Sequence, residues 1–88
     1  PFRDNIKGKI LTFVIQLHDE PGLLSDLLHI VADYRANILT IHQSIPINGK
    51  GLLTVSVDIE DSETDVSAMI QDVEKIEDVS YVKIIAME

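Results

Sequence analysis

The chain is 88 residues long, 45% hydrophobic and 25% charged, with a formal net charge of −8. That length supports one hydrophobic core and not two. The acid excess argues against nucleic acid as a partner, because phosphate binding needs clustered Lys and Arg, and the absence of cysteine excludes disulfides, thiolate metal sites and a thiol nucleophile.

Residues 1–8 read as a polar lead-in. The chain opens on Pro1 rather than Met, so this segment is expected to continue from a preceding region, with the domain itself at 9–88. From Lys9 the pattern alternates: Leu11, Phe13, Ile15 and Leu17 point one way, Thr12, Val14, Gln16 and His18 the other, as in a strand with one buried face. His18-Asp19-Glu20-Pro21-Gly22 stops it, since Pro suits the first turn of a helix and carboxylates suit its N-terminus. A helix follows over 22–35. Leu24, Leu27, Leu28 and Val31 keep helical spacing, and Leu23, Ile30 and Tyr34 widen the stripe beyond what one sheet contact requires. The excess is available to a second subunit.

A second strand is expected over 37–47. Asn48-Gly49 is a strong hairpin signal, because both central residues of a type I′ turn need positive φ. A third strand returns over 51–60, with Leu53, Val55, Val57 and Ile59 inward. Ser62 followed by Asp65 reads as an N-cap with an acid at the third helical position. The second helix then runs to about Ile76, burying Val66, Met69, Ile70, Val73 and Ile76, and 79–87 forms the last strand. Between Asp58 and Asp78 there are nine carboxylates against one Lys75. This stretch reads as a solvated helix face, with an acidic docking surface as the alternative.

The order β-α-β-β-α-β predicts an α+β, ferredoxin-like sandwich: a four-stranded antiparallel sheet, both helices on one face, the first and third strands central. The second strand is then an edge that is long, apolar in alternate positions and free of Lys or Arg, and such an edge ordinarily has a partner.

With the elements in place, Leu17-His18-Asp19-Glu20-Pro21-Gly22-Leu23-Leu24 resembles the strand-to-helix signature of the ACT family, Asp-x-Pro-Gly-x-Leu. Ala36-Asn37-Ile38 resembles its Asn-Ile step into the second strand, and the run from Asn37 to Gly49 is more specifically similar to the PheB-type ACT domain-containing proteins. The resemblance implies a non-catalytic regulatory module that binds a small metabolite, an amino acid first among them. It also implies a homodimer paired through the second strand (Ile38 to Ile47) and the first helix. The site implied is Asp19, Glu20, Pro21, Gly22, Leu23 and Leu24 of one subunit with Asn37 and Ile38 of the other, and no cofactor. The chemistry of these residues agrees. Free amides at a helix N-terminus bind a carboxylate, Gly22 presents no side chain to block it, and Asp19 accepts from an ammonium. Asn37 offers both a donor and an acceptor. Singly, each has a structural alternative: Asp19 as a helix cap, Gly22 as a turn residue, Asn37 as a left-handed exit from the helix. The family often has Gly just before the Asn, where this chain has Arg35-Ala36.

Other readings have less behind them. Ser25, His29 and Asp33 mimic a catalytic trio, but on one helix the Ser and Asp stand roughly 12 Å apart on its polar side. A link to chorismate mutase in aromatic amino-acid metabolism would need a cationic pocket, and Arg3 and Arg35 are the only arginines. His18 and His42 are weak metal candidates with no third ligand, and the open sheet face lacks the stacked aromatics of an RNA-binding module. A module that only dimerises, with an empty pocket, is the main competitor. No apolar run reaches a membrane span and no signal peptide is visible, so a cytoplasmic protein is the expectation.

Overall fold

The computed structural model describes residues 9–18, 22–44, 50–60 and 63–88. Six elements follow one another: β1 (Lys9–His18), α1 (Leu23–Asp33), β2 (Ala36–Gln43), β3 (Lys50–Ile59), α2 (Val66–Glu74) and β4 (Val79–Met87). All strand pairs are antiparallel, in the order β2-β3-β1-β4. The expected fold is the observed one, with β1 and β3 central and β2 and β4 at the edges.

The periodicity of β1 and β3 explains the core. Their register is unbroken from Lys9 opposite Ile59 to His18 opposite Lys50, so Leu11, Phe13 and Ile15 meet Val57, Val55 and Leu53 on one face, all buried. Leu23, Leu27 and Val31 of α1 and Met69, Ile70 and Val73 of α2 close over that face. Burying each such side chain contributes about 1.5–3 kcal/mol. The other face of the sheet is polar where it is best shielded: the Thr12 and Ser56 hydroxyls share a hydrogen bond of 2.9 Å across β1 and β3.

Several local expectations change. Helix α1 begins after Gly22, which is its N-cap; Asp19 lies outside the described residues. Its inward stripe is Leu23, Leu27 and Val31, whereas Leu24 and Leu28 are each 43% exposed. One helix laid on a sheet covers about a third of its circumference, and these two fall outside that arc. In α2 the N-cap is Asp65 itself, its carboxylate accepting from the Ala68 amide at 3.0 Å. The helix therefore starts one turn later than a Ser62 cap would place it, and it ends at Glu74 rather than Ile76. Strand β2 does not keep strict alternation either. Its register with β3 shifts between Ile38 and Thr40, so Ile38 packs against the core while Thr40 and His42 lie across from Ser56 and Thr54 on the open face. Beyond Ser44 the strand expected to reach Ile47, and the Asn48-Gly49 turn, lie outside the described residues.

The exit from α1 is left-handed, but at Arg35 (φ 60) and not at Asn37, which is already in β2. A left-handed residue after a helix is usually Gly; with a side chain the conformation costs about 1–2 kcal/mol. The Arg35 amide donates to the Ala32 carbonyl at 2.9 Å, and the neighbouring Tyr34 is anchored twice. Its hydroxyl donates to Asp72 of α2 at 2.5 Å, and its carbonyl accepts from the Thr64 hydroxyl at 3.4 Å. These bonds hold the bend against its local preference.

Candidate functional site

The residues named from the sequence separate into two groups. Gly22, Leu23 and Leu24 stand at the start of α1; Asn37 and Ile38 stand just past its end. Asp19, Glu20 and Pro21 lie outside the described residues. An 11-residue helix is about 16 Å long at ~1.5 Å per residue, so a single chain cannot bring both groups onto one small ligand. A two-fold axis beside β2 would bring the start of one α1 to the start of the other β2.

At the first group the chain turns with Gly22 at φ 90 and ψ −12, and α1's intrahelical bonding begins with the Asp26 amide donating to the Gly22 carbonyl at 3.0 Å. No side chain caps this end among the described residues. Among the described residues nothing lies within 4 Å of where a Gly22 Cβ would stand. Gly is therefore demanded by the backbone angle, while the space beside it is open.

At the second group, Asn37 is exposed and sits opposite Asp58 of β3. Its side-chain amide nitrogen donates to the Glu60 carboxylate at 3.3 Å. The dual donor-acceptor role expected of Asn37 is thus reduced: its donor is engaged inside the chain, and its carbonyl oxygen is what remains. Glu60 was not among the expected site residues. A hairpin counted back from a two-residue turn at Asn48-Gly49 would set Asn37 opposite Glu60, whereas the observed register sets it opposite Asp58, so no sound signal for this contact was present in the sequence.

Between the two groups runs an apolar seam. Leu24 and Leu28 project from α1, and Leu39 (48% exposed) and Ile41 (36% exposed) from the adjacent edge strand. The opposite edge carries exposed Ile84, Ile85 and Met87, but its register with β1 shifts at two places. Such irregularities, with Lys83 in the strand, discourage further pairing.

The remaining candidates do not converge. Ser25, His29 and Asp33 are all exposed along α1. His18 and His42 are exposed on strands separated by β3, and no group of three His, Cys, Asp or Glu that could hold a metal ion occurs among the described residues. An open groove of about 310 Å³ lies between the helices, lined by Asp26, His29, Ile30, Asp72, Lys75, Ile76 and Glu77. Asn37 is not among its lining residues, and it is mixed in charge. No helix among the described residues is long and apolar enough to cross a membrane.

This topology, with Gly22 at the start of the first helix and an Asn near the start of the second strand, defines a class of small ferredoxin-like domains. Comparison with known proteins makes the assignment specific: the ACT domain family matches residues 11–78, and the chain belongs to that family. It is 42% identical over 88 residues to a UPF0735 ACT domain-containing protein of Lachnoclostridium phytofermentans, covering all of this chain and 60% of the relative. It is 45% identical over 85 residues to another of Shouchella clausii, covering 97% and 58%. The chain thus spans about three fifths of the length of these relatives. Among solved structures, the ACT domain from GTP pyrophosphokinase of Chlorobium tepidum superposes with a TM-score of 0.69 at 14% identity, over 86% of this chain and 96% of that one. Prephenate dehydratase in complex with L-Phe, from Arthrobacter aurescens, gives 0.74 at 17% identity over 99% and 29%. At such identities the structural likeness is one of fold.

Proposed function

We propose that this chain is a non-catalytic regulatory module of a cytoplasmic protein, that it pairs with a second copy through β2 and α1, and that it holds a free amino acid where the two copies meet. The observation that carries the reading is the exposed seam of Leu24, Leu28, Leu39 and Ile41 along an edge strand with no charged residue between Ala36 and Gln43. Pairing there would join two sheets into one and bring the α1 start of one copy to the β2 start of the other. The ligand carboxylate would take the amides at the Gly22 turn, and its ammonium the oxygen of Asn37. That the prephenate dehydratase neighbour was solved with L-Phe makes amino acids the first class to test.

The test is a thermal-shift screen against the twenty L-amino acids at millimolar concentration, run beside sedimentation equilibrium. A ligand that binds only the folded dimer must raise its melting temperature. A dimer indifferent to every amino acid would leave a module that only pairs. A monomer at micromolar protein would remove the second wall of the site, and the reading with it.

A further inference from the structure

We infer that Ile84, Ile85 and Met87, near the end of β4, form a docking surface for the chain that the longer relatives carry beyond this domain. This surface is separate from the β2 edge and does not depend on pairing there. Four residues of β4 stand opposite buried β1 residues on the helix-covered face of the sheet. Val79 faces Leu17, Val82 faces Ile15, Ile84 faces Phe13 and Met87 faces Leu11. Val79 and Val82 pack against the core. Ile84 and Met87 continue the same row, yet they are 44% and 46% exposed, and Ile85 between them is 53% exposed. Three large apolar side chains within four residues are left uncovered at one corner, which marks a contact surface rather than scattered surface residues.

What covers them follows from where the chain runs. Ile10 and Glu88 exchange two backbone hydrogen bonds, each of 2.8 Å, so the start of β1 and the end of β4 lie side by side at this corner. The Lachnoclostridium phytofermentans relative aligns with all of this chain, which covers only 60% of that relative. Whether the remainder precedes or follows the domain, it joins the fold here, beside Ile84, Ile85 and Met87. A segment on so short a tether has an effective concentration on the order of millimolar, so a modest apolar contact keeps it docked. The register shifts of β4 against β1 interrupt the regular edge. The occupant therefore packs apolar side chains onto the surface and does not add as a fifth strand.

The chain contains no cysteine, so one introduced thiol reports on one position. Ile85→Cys and Met87→Cys are labelled with a thiol reagent in two proteins. One is this 88-residue chain; the other is the same chain joined to the remaining part of the Lachnoclostridium relative, at the end where that part stands in the relative. Joining should slow labelling at both positions at least about tenfold, equivalent to a docking equilibrium of about 1.4 kcal/mol. Glu74→Cys, exposed on α2, should label at one rate in both proteins. Adding Ile84→Asp to the joined Met87→Cys protein should restore the faster rate, with the circular-dichroism spectrum unchanged. Equal rates for Ile85→Cys in the two proteins overturn the proposal. Labelling that slows in the 88-residue chain itself as its concentration rises assigns the surface to a second copy, and overturns it too. Should the joined protein fail to fold, the same part added separately at millimolar concentration must slow labelling of Ile85→Cys, and an unchanged rate refutes the docking surface.

Discussion

Replacing Leu28 with Asp tests the seam most directly. In the single chain Leu28 is 43% exposed, and Leu24, Leu39 and Ile41 are similarly uncovered. Fully burying a Leu or Ile contributes about 1.5–3 kcal/mol, so the uncovered share of one side chain is worth about 0.6–1.3 kcal/mol on pairing. A two-fold interface counts each residue twice, and Leu28→Asp therefore removes about 1.3–2.6 kcal/mol per dimer. The dissociation constant should rise roughly ten- to a hundredfold at ~1.4 kcal/mol per decade. Two introduced carboxylates beside chains that already carry −8 each push the same way, so the assay is sedimentation equilibrium near physiological salt, where distant charges are screened. The part of Leu28 already covered within the single chain is lost in the monomer as well, at about 0.9–1.7 kcal/mol. The variant's urea midpoint extrapolated to the monomer should therefore fall modestly, and the loss of association adds to that. The control is Ile85→Asp, at a position 53% exposed on the opposite edge, which should leave association untouched. If Ile85→Asp dissociates the protein and Leu28→Asp does not, copies pair through β4 and the argument from the β2 seam is refuted.

Three further outcomes follow from the fold. Arg35→Gly should stabilise the protein slightly, because relief of a left-handed residue (about 1–2 kcal/mol) outweighs the added chain entropy of Gly (about 0.5–1 kcal/mol); calorimetry should show a melting temperature a few degrees higher, and a lower one would contradict the bend. Asp65→Ala deletes the cap on the Ala68 amide and should cost about 1 kcal/mol in urea unfolding, whereas Ser62→Ala should cost less. The Tyr34 phenol has its pKa raised above the ordinary tyrosine value, chiefly by its hydrogen bond to Asp72, then by burial and by the charges of Asp72, Asp65 and Asp33. A raised folded-state pKa means that this contribution to stability is complete below the unfolded tyrosine pKa, about 10, and is lost as pH rises through the folded value. In a Tyr81→Phe background, ultraviolet titration should find the remaining tyrosine ionising later in the folded protein than in urea, and Asp72→Asn should bring the two curves together.

Gly22 is the position to change when testing the ligand response. A β-branched Val would meet no steric wall among the described residues, since the space around a Cβ is empty there, but φ 90 would strain it. Gly22→Asn tolerates the left-handed backbone and is the cleaner probe of ligand response.

What the sequence alone determined is what repeats within an element. Period-two runs in 9–18 and 51–60 and helical spacing in 66–73 reflect burial against a single layer, so the element order, the central strands and nearly all the core were readable from them. What only the tertiary structure decided is everything that depends on a neighbour's position. Leu24 and Leu28 belong to the same apolar stripe as Leu27 in sequence, yet the sheet covers Leu27 and stops short of them. The register shift at Leu39, the left-handed turn at Arg35 and the capture of the Asn37 donor by Glu60 all arise where β2 must leave α1 and meet β3 at once. Local pattern records which side chains prefer burial; the geometry between elements determines which of them receive it.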